Sequence, residues 1–185
     1  MRIIGGRLRG LHLAPVGTGD AAAHLRPTSD RVREAIFNLL INGGYGDPVS
    51  GARVLDLFAG TGALGLEAVS RGAAAVVFVD DGAAALGLLR KNIGLTRSQS
   101  VAQLIRRSAT QLGPNPAAAH DLVFLDPPYV KGLGEAALAA ASGWIAPGAL
   151  LVWEENAPPL PPPGYETLDQ RRYGDTLVTL LRSPE

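Results

Sequence analysis

A chain of 185 residues can bury one substantial hydrophobic core, and its 17 basic and 17 acidic side chains leave no overall charge that would attract nucleic acid. The absence of cysteine excludes disulfides and thiolate metal sites, and the scattered His12, His24 and His120 do not suggest a metal site either. No apolar run is long enough for a membrane span or a signal peptide, which predicts a cytoplasmic protein without a membrane anchor.

The first 50 residues are predicted to form an arm and a helix ahead of the main domain at 51–185. Residues 2–13 resemble two short strands joined by a glycine-containing turn. Thr28 or Ser29 is placed to cap a helix that ends near Leu40, before Gly43-Gly44. Arginines without nearby acids indicate a local basic surface on this segment, although a solvated surface hairpin is the competing interpretation.

Strands and helices then alternate along the chain. Strands are predicted near 53–57, 75–79, 101–105, 121–125 and 148–153, and helices near 63–71, 82–93 and 133–142. This alternation predicts an α/β fold with a doubly wound, mainly parallel sheet. Gly174-Asp175, between 165–173 and 176–181, predicts a carboxy-terminal antiparallel hairpin that brings the sheet to seven strands. The proline-rich segment 158–163 is interpreted as a stiff connector.

A glycine-rich turn follows the first buried strand and opens the next helix. Its glycines permit positive φ and a close approach of a ligand to the backbone. The turn matches neither a phosphate loop nor the dinucleotide pattern, and Asp56 before it would repel a pyrophosphate but suits a cationic amine. The residues of this turn are Phe58, Ala59, Gly60, Thr61 and Gly62.

The second buried strand ends in Asp80-Asp81, which lies 24 residues beyond Asp56. A carboxylate at this position is the usual partner of ribose hydroxyls. A solvated helix cap is the alternative interpretation, and it explains Asp81 better than Asp80.

Asp126-Pro127-Pro128-Tyr129 ends the strand at 121–125 and is the most informative segment of the chain. The carboxylate is an anionic acceptor, the prolines fix the backbone, and Tyr129 offers a flat face to a planar substrate. These groups suit an exocyclic amine on a base, which needs an acceptor for its hydrogens and alignment with a methyl donor. A strand followed by a proline-stiffened turn is the structural alternative.

The chain resembles the class I S-adenosylmethionine-dependent methyltransferases, and specifically the bacterial 16S rRNA guanine-N2 methyltransferase family (RsmD-like). The resemblance runs nearly end to end and rests on residues 2–6, 25–37, 55–73 and 126–129. The glycine turn indicates only the superfamily, and Asp-Pro-Pro-Tyr is shared with DNA adenine amino methyltransferases. The amino-terminal segments make the resemblance specific.

The resemblance implies that S-adenosylmethionine binds at the glycine turn and at Asp56, Asp80, Asp81, Ser108, Ala109 and Asp126. It implies that residues 126–129 receive a guanine flipped out of 16S rRNA, with a specificity of the guanine-966 type. The enzyme is expected to act as a monomer, and its substrate is expected to be a small-subunit particle. Asp80 departs from the glutamate common in the family, and Ser108-Ala109 stand where an Asp or Asn often faces the adenine. RNA contacts are expected from Arg7, Arg9, Arg26, Arg33 and Tyr129.

Three other functions stay open from the residues. A DNA adenine-N6 methyltransferase uses the same amine chemistry, but no inserted target-recognition domain is evident. A protein glutamine methyltransferase also uses a Pro-Pro-Tyr turn, usually with Asn in place of Asp126. A nonenzymatic RNA-binding module would not need Asp126 beside the cofactor.

Overall fold

The computed structural model describes residues 1–16, 29–130 and 132–185. Arg26 and Thr28 lie outside these residues, and so do the predictions made for them. The helices are α1 (Asp30–Asn42), α2 (Ala63–Ser70), α3 (Ala83–Leu95) and α4 (Leu133–Ala140). The strands are β1 (Arg53–Leu57), β2 (Ala75–Asp80), β3 (Ala102–Arg106), β4 (His120–Leu125), β5 (Ile145–Glu155), β6 (Glu166–Tyr173) and β7 (Thr176–Arg182).

These strands form one sheet in the order β3-β2-β1-β4-β5-β7-β6. The first five are parallel, and β7 runs antiparallel to both β5 and β6. The predicted α/β sheet with a carboxy-terminal hairpin is therefore confirmed. Because the strands alternate side chains between faces, Val54 packs with α1, α2 and α3, whereas Leu55 packs with α4.

Strand β5 is longer than the sequence predicts. It begins at Ile145 rather than near 148, because a register shift between His120 and Leu122 lets the proline- and glycine-containing start of β5 stay paired with β4. Gly148 has a φ of 68°, which a glycine adopts without strain. The irregularity hides the start of the strand from a search for alternating apolar residues.

The amino-terminal arm differs from the predicted pair of strands, since only Arg2 and His12 form a β-bridge. The backbone N–H groups of Ile3, Gly10 and Leu13 donate across the arm, but others are used elsewhere. Those of Ile4 and Gly5 each donate to the Glu67 carboxylate of α2 at 2.8 Å. The arm therefore lies along α2 as a covering layer.

Arg33 was expected to contact RNA, and that expectation is wrong. Its side chain is fully buried. The guanidinium donates to Asp30 Oδ1 at 2.8 Å and to the Arg2 carbonyl, and its Nε lies 3.7 Å from Glu67 Oε2. Its position on the inner face of α1 makes it a link between α1, the arm and α2, out of reach of a polyanion.

Candidate active site

A cleft of about 1050 Å³ opens along the carboxyl edge of β2, β1, β4 and β5. Parallel strands of an open α/β sheet expose their ligand sites at this edge. The cleft brings together the glycine turn and the two motifs predicted to flank it. The predicted residues that line it are Asp56, Phe58, Ala59, Gly60, Thr61, Asp80, Asp81, Asp126, Pro127, Pro128 and Tyr129.

The glycine turn is shaped by three residues in the left-handed region. Phe58 has a φ of 58°, Gly60 of 55° and Gly62 of 77°. A Cβ on Gly62 would lie 2.3 Å from Leu89 Cδ1, so this position requires glycine for space as well as for conformation. Positive φ at Phe58 is uncommon for a bulky side chain and is not evident from the sequence.

Asp56 is only 2% exposed, and its Oδ2 accepts a hydrogen bond from Gly65 N at 2.9 Å. Burial raises its pKa well above the usual value, the Gly65 hydrogen bond opposes this, and the nearby charges of Asp126 and Asp80 raise the pKa further. Gly65 permits the close packing, because a Cβ there would lie 2.4 Å from Phe78 Cε1. The buried acid is a favourable partner for a cation.

Asp80 joins the glycine turn to the start of α3. Its Oδ2 accepts from Gly60 N and its Oδ1 from Gly82 N, both at 2.8 Å. Burial raises the pKa of Asp80, and these two hydrogen bonds act in the opposite direction. Each carboxylate oxygen has a second lone pair, so Asp80 can also accept hydroxyl groups. Asp81 is exposed at the rim.

The Asp-Pro-Pro-Tyr turn lies on the other side of the cleft. Asp126 N donates to Leu57 O at 3.5 Å, which places the turn beside the glycine loop. Pro127 is buried, whereas Tyr129 is 37% exposed. The Tyr129 hydroxyl lies 3.2 Å from Thr176 Oγ1, so the β6–β7 hairpin holds the aromatic ring at the cleft mouth.

The lining of the cleft is acidic. Among the described residues that line it there is no lysine or arginine, but there are six acids: Asp56, Asp80, Asp81, Asp126, Glu154 and Asp175. Such a surface favours cations and hydrogen-bond donors and disfavours phosphate groups. The sequence did not reveal Glu154, which belongs to no recognised motif, and it indicated Asp175 only as part of a hairpin turn.

Three predicted cofactor residues do not line this cleft: Gly62, which shapes the turn, and Ser108 and Ala109. Ser108 Oγ lies 2.9 Å from Thr110 Oγ1, and Ala109 is buried in the cluster beneath the opposite face of the sheet. Neither Ser108 nor Ala109 lines the cleft, and their contact with the adenine stays a prediction. The lining beyond Asp80 is made instead by Gly82 and by Ala83–Ala85 at the start of α3.

Arg7 and Arg9 are exposed but distant from the glycine turn. They lie at the turn of the arm, where Leu8 N donates to Ser70 Oγ at 2.9 Å at the end of α2. Helix α2 begins at the glycine turn and spans 8 residues, or about 12 Å. A contact from either arginine would therefore reach RNA well outside the cleft.

The sequence matches the model of a known protein family over nearly its whole length. A family model described as "Conserved hypothetical protein 95" matches residues 1–182. The chain belongs to this family. Ribosomal RNA small subunit methyltransferase D of Escherichia coli K12 is 38% identical over 98% of this chain and 89% of its own length. The corresponding protein of Haemophilus influenzae is 34% identical over 94% and 89%.

Solved structures agree with this assignment. The Escherichia coli protein yhhF superposes with a TM-score of 0.80 at 36% identity, over 100% of this chain and 98% of that one. TrmN from Thermus thermophilus has a TM-score of 0.69 at 27% identity, over 87% of this chain and 51% of that one. The family resemblance and the class I methyltransferase fold are confirmed, and S-adenosylmethionine is the methyl donor of this class. Within residues 1–16, 29–130 and 132–185, no helix is long and apolar enough to cross a membrane.

Proposed function

We propose that this protein transfers a methyl group from S-adenosylmethionine to the exocyclic N2 amine of a guanine in 16S rRNA. The observation that carries the proposal is the shared cleft, in which the Asp-Pro-Pro-Tyr turn faces Asp56, the glycine turn and Asp80. The names of the Escherichia coli and Haemophilus influenzae relatives support ribosomal RNA as the substrate. An intact acceptor at Asp126 favours an enzyme over a pure binding module.

The cleft fits the cofactor in charge and shape. Asp56 would hold the ammonium of the methionine part, the glycine turn would pack against its backbone, and Asp80 would accept the ribose hydroxyls. S-adenosylmethionine, when bound, supplies an electrophilic methyl group on a positively charged sulfur. That charge already activates the methyl group, so the protein's work is mainly to align the second reactant.

Asp126 and Tyr129 would position that second reactant. An aromatic amine is a weak nucleophile because its lone pair is delocalised into the ring. A hydrogen bond to Asp126 orients the amine, and the exposed face of Tyr129 stacks on the base. The target base must be unpaired or flipped for its amine to enter the cleft.

RNA phosphates are expected outside the acidic lining. We assign them to the amino-terminal extension, residues 1–50, where Arg7 and Arg9 are exposed on the arm. The protein would act as a monomer on a small-subunit particle, since one chain contains every group that the proposed reaction needs.

Mapping of the transferred methyl group tests the proposal. The protein is incubated with tritiated S-adenosylmethionine and naked 16S rRNA, small-subunit particles or duplex DNA, and labelled nucleosides are separated after digestion. We expect N2-methylguanosine from ribosomal RNA and none from the Asp126→Ala control. Labelled N6-methyladenine, or labelled protein without labelled RNA, would contradict the proposal.

A further inference from the structure

We propose that Glu154 is a specificity-determining residue that, together with Asp126, recognises the Watson–Crick edge of the target base and selects guanine. This inference rests on the proposed function and extends it from the position of the reacting amine to the choice of base. It assigns a role to the one buried glutamate of the cleft that no sequence motif identifies.

The sheet register places the two carboxylates side by side. Strands β4 and β5 are parallel, and Leu125 pairs with Trp153 at their carboxyl ends. Asp126 and Glu154 are the next residues on these neighbouring strands, whose backbones lie about 4.8 Å apart. By alternation both share the face of Phe124 and Val152, which is the face that carries the other cleft acids.

Glu154 combines burial with access to the cleft. It is 3% exposed, yet it lines the cleft together with Asp126 and Tyr129. A carboxylate removed from bulk water interacts strongly with a hydrogen-bond donor and strongly disfavours an acceptor. A base that enters beside Tyr129 would therefore bind well only if it presents a hydrogen-bond donor to Glu154.

Guanine is the base whose edge matches two neighbouring acceptors. Ionised carboxylates only accept hydrogen bonds. Guanine presents the N2 amine and the N1–H as adjacent donors, so Asp126 can take the amine while Glu154 takes N1–H. Adenine presents its N6 amine beside an N1 lone pair, and cytosine presents its N4 amine beside an N3 lone pair. Each would place a lone pair against the Glu154 carboxylate.

2-Aminopurine keeps the 2-amino group of guanine but lacks O6 and has a lone pair at N1, so the dependence of its discrimination on Glu154 isolates the contact to N1. We would prepare 16S rRNA with guanine or 2-aminopurine at the mapped target position by splinted ligation, and measure kcat/KM for both. The wild-type protein should prefer guanine by roughly 100-fold, because a site built for an N–H rejects the analogue that lacks it. Equal kcat/KM values for the two RNAs would overturn the inference without any variant.

The Glu154→Gln variant replaces one accepting carboxylate oxygen with a donating NH2 group and nearly keeps the shape of the side chain. Its amide can donate to the N1 lone pair of 2-aminopurine, so the preference for guanine should fall by about 10-fold or more. Cofactor affinity by calorimetry should stay within a few fold of the wild-type value, and the melting temperature should not fall. An unchanged guanine preference, or a loss of cofactor affinity that accounts for the whole effect, would reject the assignment.

Glu155→Gln provides the matched control. Glu155 is the next residue of β5, points to the opposite face and is absent from the cleft lining. The control should keep the wild-type preference, and an equal change in both variants would reject a specific role for Glu154. If the mapped methyl group lies on adenine or on protein, the proposed function itself fails. If it lies on guanine N2 but the preference ignores Glu154, only this inference fails.

Discussion

Glu67 under the amino-terminal arm and Asp56 in the cleft are both buried carboxylates on the same side of the sheet, but their surroundings differ. Glu67 accepts Arg71 Nε at 2.8 Å in addition to the N–H groups of Ile4 and Gly5, and Arg33 lies nearby. Asp56 accepts one backbone N–H and feels the charges of Asp126 and Asp80. One region balances its buried charge internally, whereas the other leaves it for a ligand.

The difference separates stability from function in this fold. A buried ion pair with its hydrogen bonds complete costs little to keep and much to break. Buried like charges reduce the stability of the ligand-free protein, and a bound cation compensates for them. Variants of the arm should therefore lower stability with little effect on cofactor recognition. Variants of the cleft should impair ligand binding or turnover without lowering the stability of the ligand-free protein.

The largest effect is expected for turnover of Asp126→Ala. Loss of the acceptor should lower kcat by roughly 10²- to 10⁴-fold, because the amine is no longer oriented. Cofactor affinity should stay within a few fold, and single-turnover kinetics with calorimetry measure the two quantities separately. A variant that loses the cofactor but turns over normally at saturation would make Asp126 a cofactor-binding residue.

A substitution that detaches the arm from α2 should lower the stability of the protein. Glu67→Ala removes the acceptor of two arm N–H groups and of Arg71 Nε. It also leaves Asp30 as the remaining acidic neighbour of the buried Arg33, so the free energy of unfolding should drop by about 3 to 5 kcal/mol. Urea denaturation measures this against the exposed Glu34→Ala of α1 as a control. Comparable stability of both variants would show that the arm is not fastened through Glu67.

Removal of a buried acid from the cleft should raise the stability of the ligand-free protein, in contrast to Glu67→Ala. Asp56→Asn keeps the shape of the side chain and an acceptor for Gly65 N, but it removes the buried charge. It should weaken S-adenosylmethionine binding by roughly 1.5 to 3 kcal/mol. At neutral pH it should also raise the melting temperature of the ligand-free protein. Calorimetry and thermal unfolding check these outcomes, and a lower melting temperature would contradict the comparison with Glu67.

The raised pKa of Asp56 predicts how stability and cofactor affinity depend on pH. The folded state holds this proton more tightly than the unfolded state, so the free energy of unfolding should increase as pH falls through the folded pKa towards the pKa of the unfolded state. The increase in the free energy of unfolding should end once the pH lies below the pKa of Asp56 in the unfolded state. Cofactor affinity should fall over the same range, because protonation removes the partner of the ammonium. Asp56→Asn should flatten both profiles.

Sequence reasoning located most of this site because its motifs stand at strand ends. Asp56, Asp80 and Asp126 each follow an apolar run, and parallel strands bring such positions to one edge. Arg33 was misjudged because charge along the chain does not reveal which helix face is buried. Ser108 follows β3 as the sequence predicts, and its contact with the adenine stays a prediction because it does not line the cleft. Glu154 was missed because it lies inside a strand without a motif.

The smallest effect concerns the tip of the arm, which distinguishes a purely structural arm from one that also touches RNA. Replacing both Arg7 and Arg9 with Ala should leave stability and cofactor affinity unchanged, since both side chains are exposed and distant from the cleft. If they contact phosphates, the slope of log affinity against log salt should fall in magnitude by roughly 1.4 to 1.8.

The control for that measurement is the double replacement of Arg90 and Lys91, two exposed cations of α3, which removes the same charge elsewhere. Salt titrations of RNA binding would be compared for the wild type and both double variants. A change limited to the arm would identify a phosphate contact about one helix length from the cleft, so that the target base and its backbone are held at separate ends of α2. Superimposable slopes for all three proteins would leave the arm with its structural role alone.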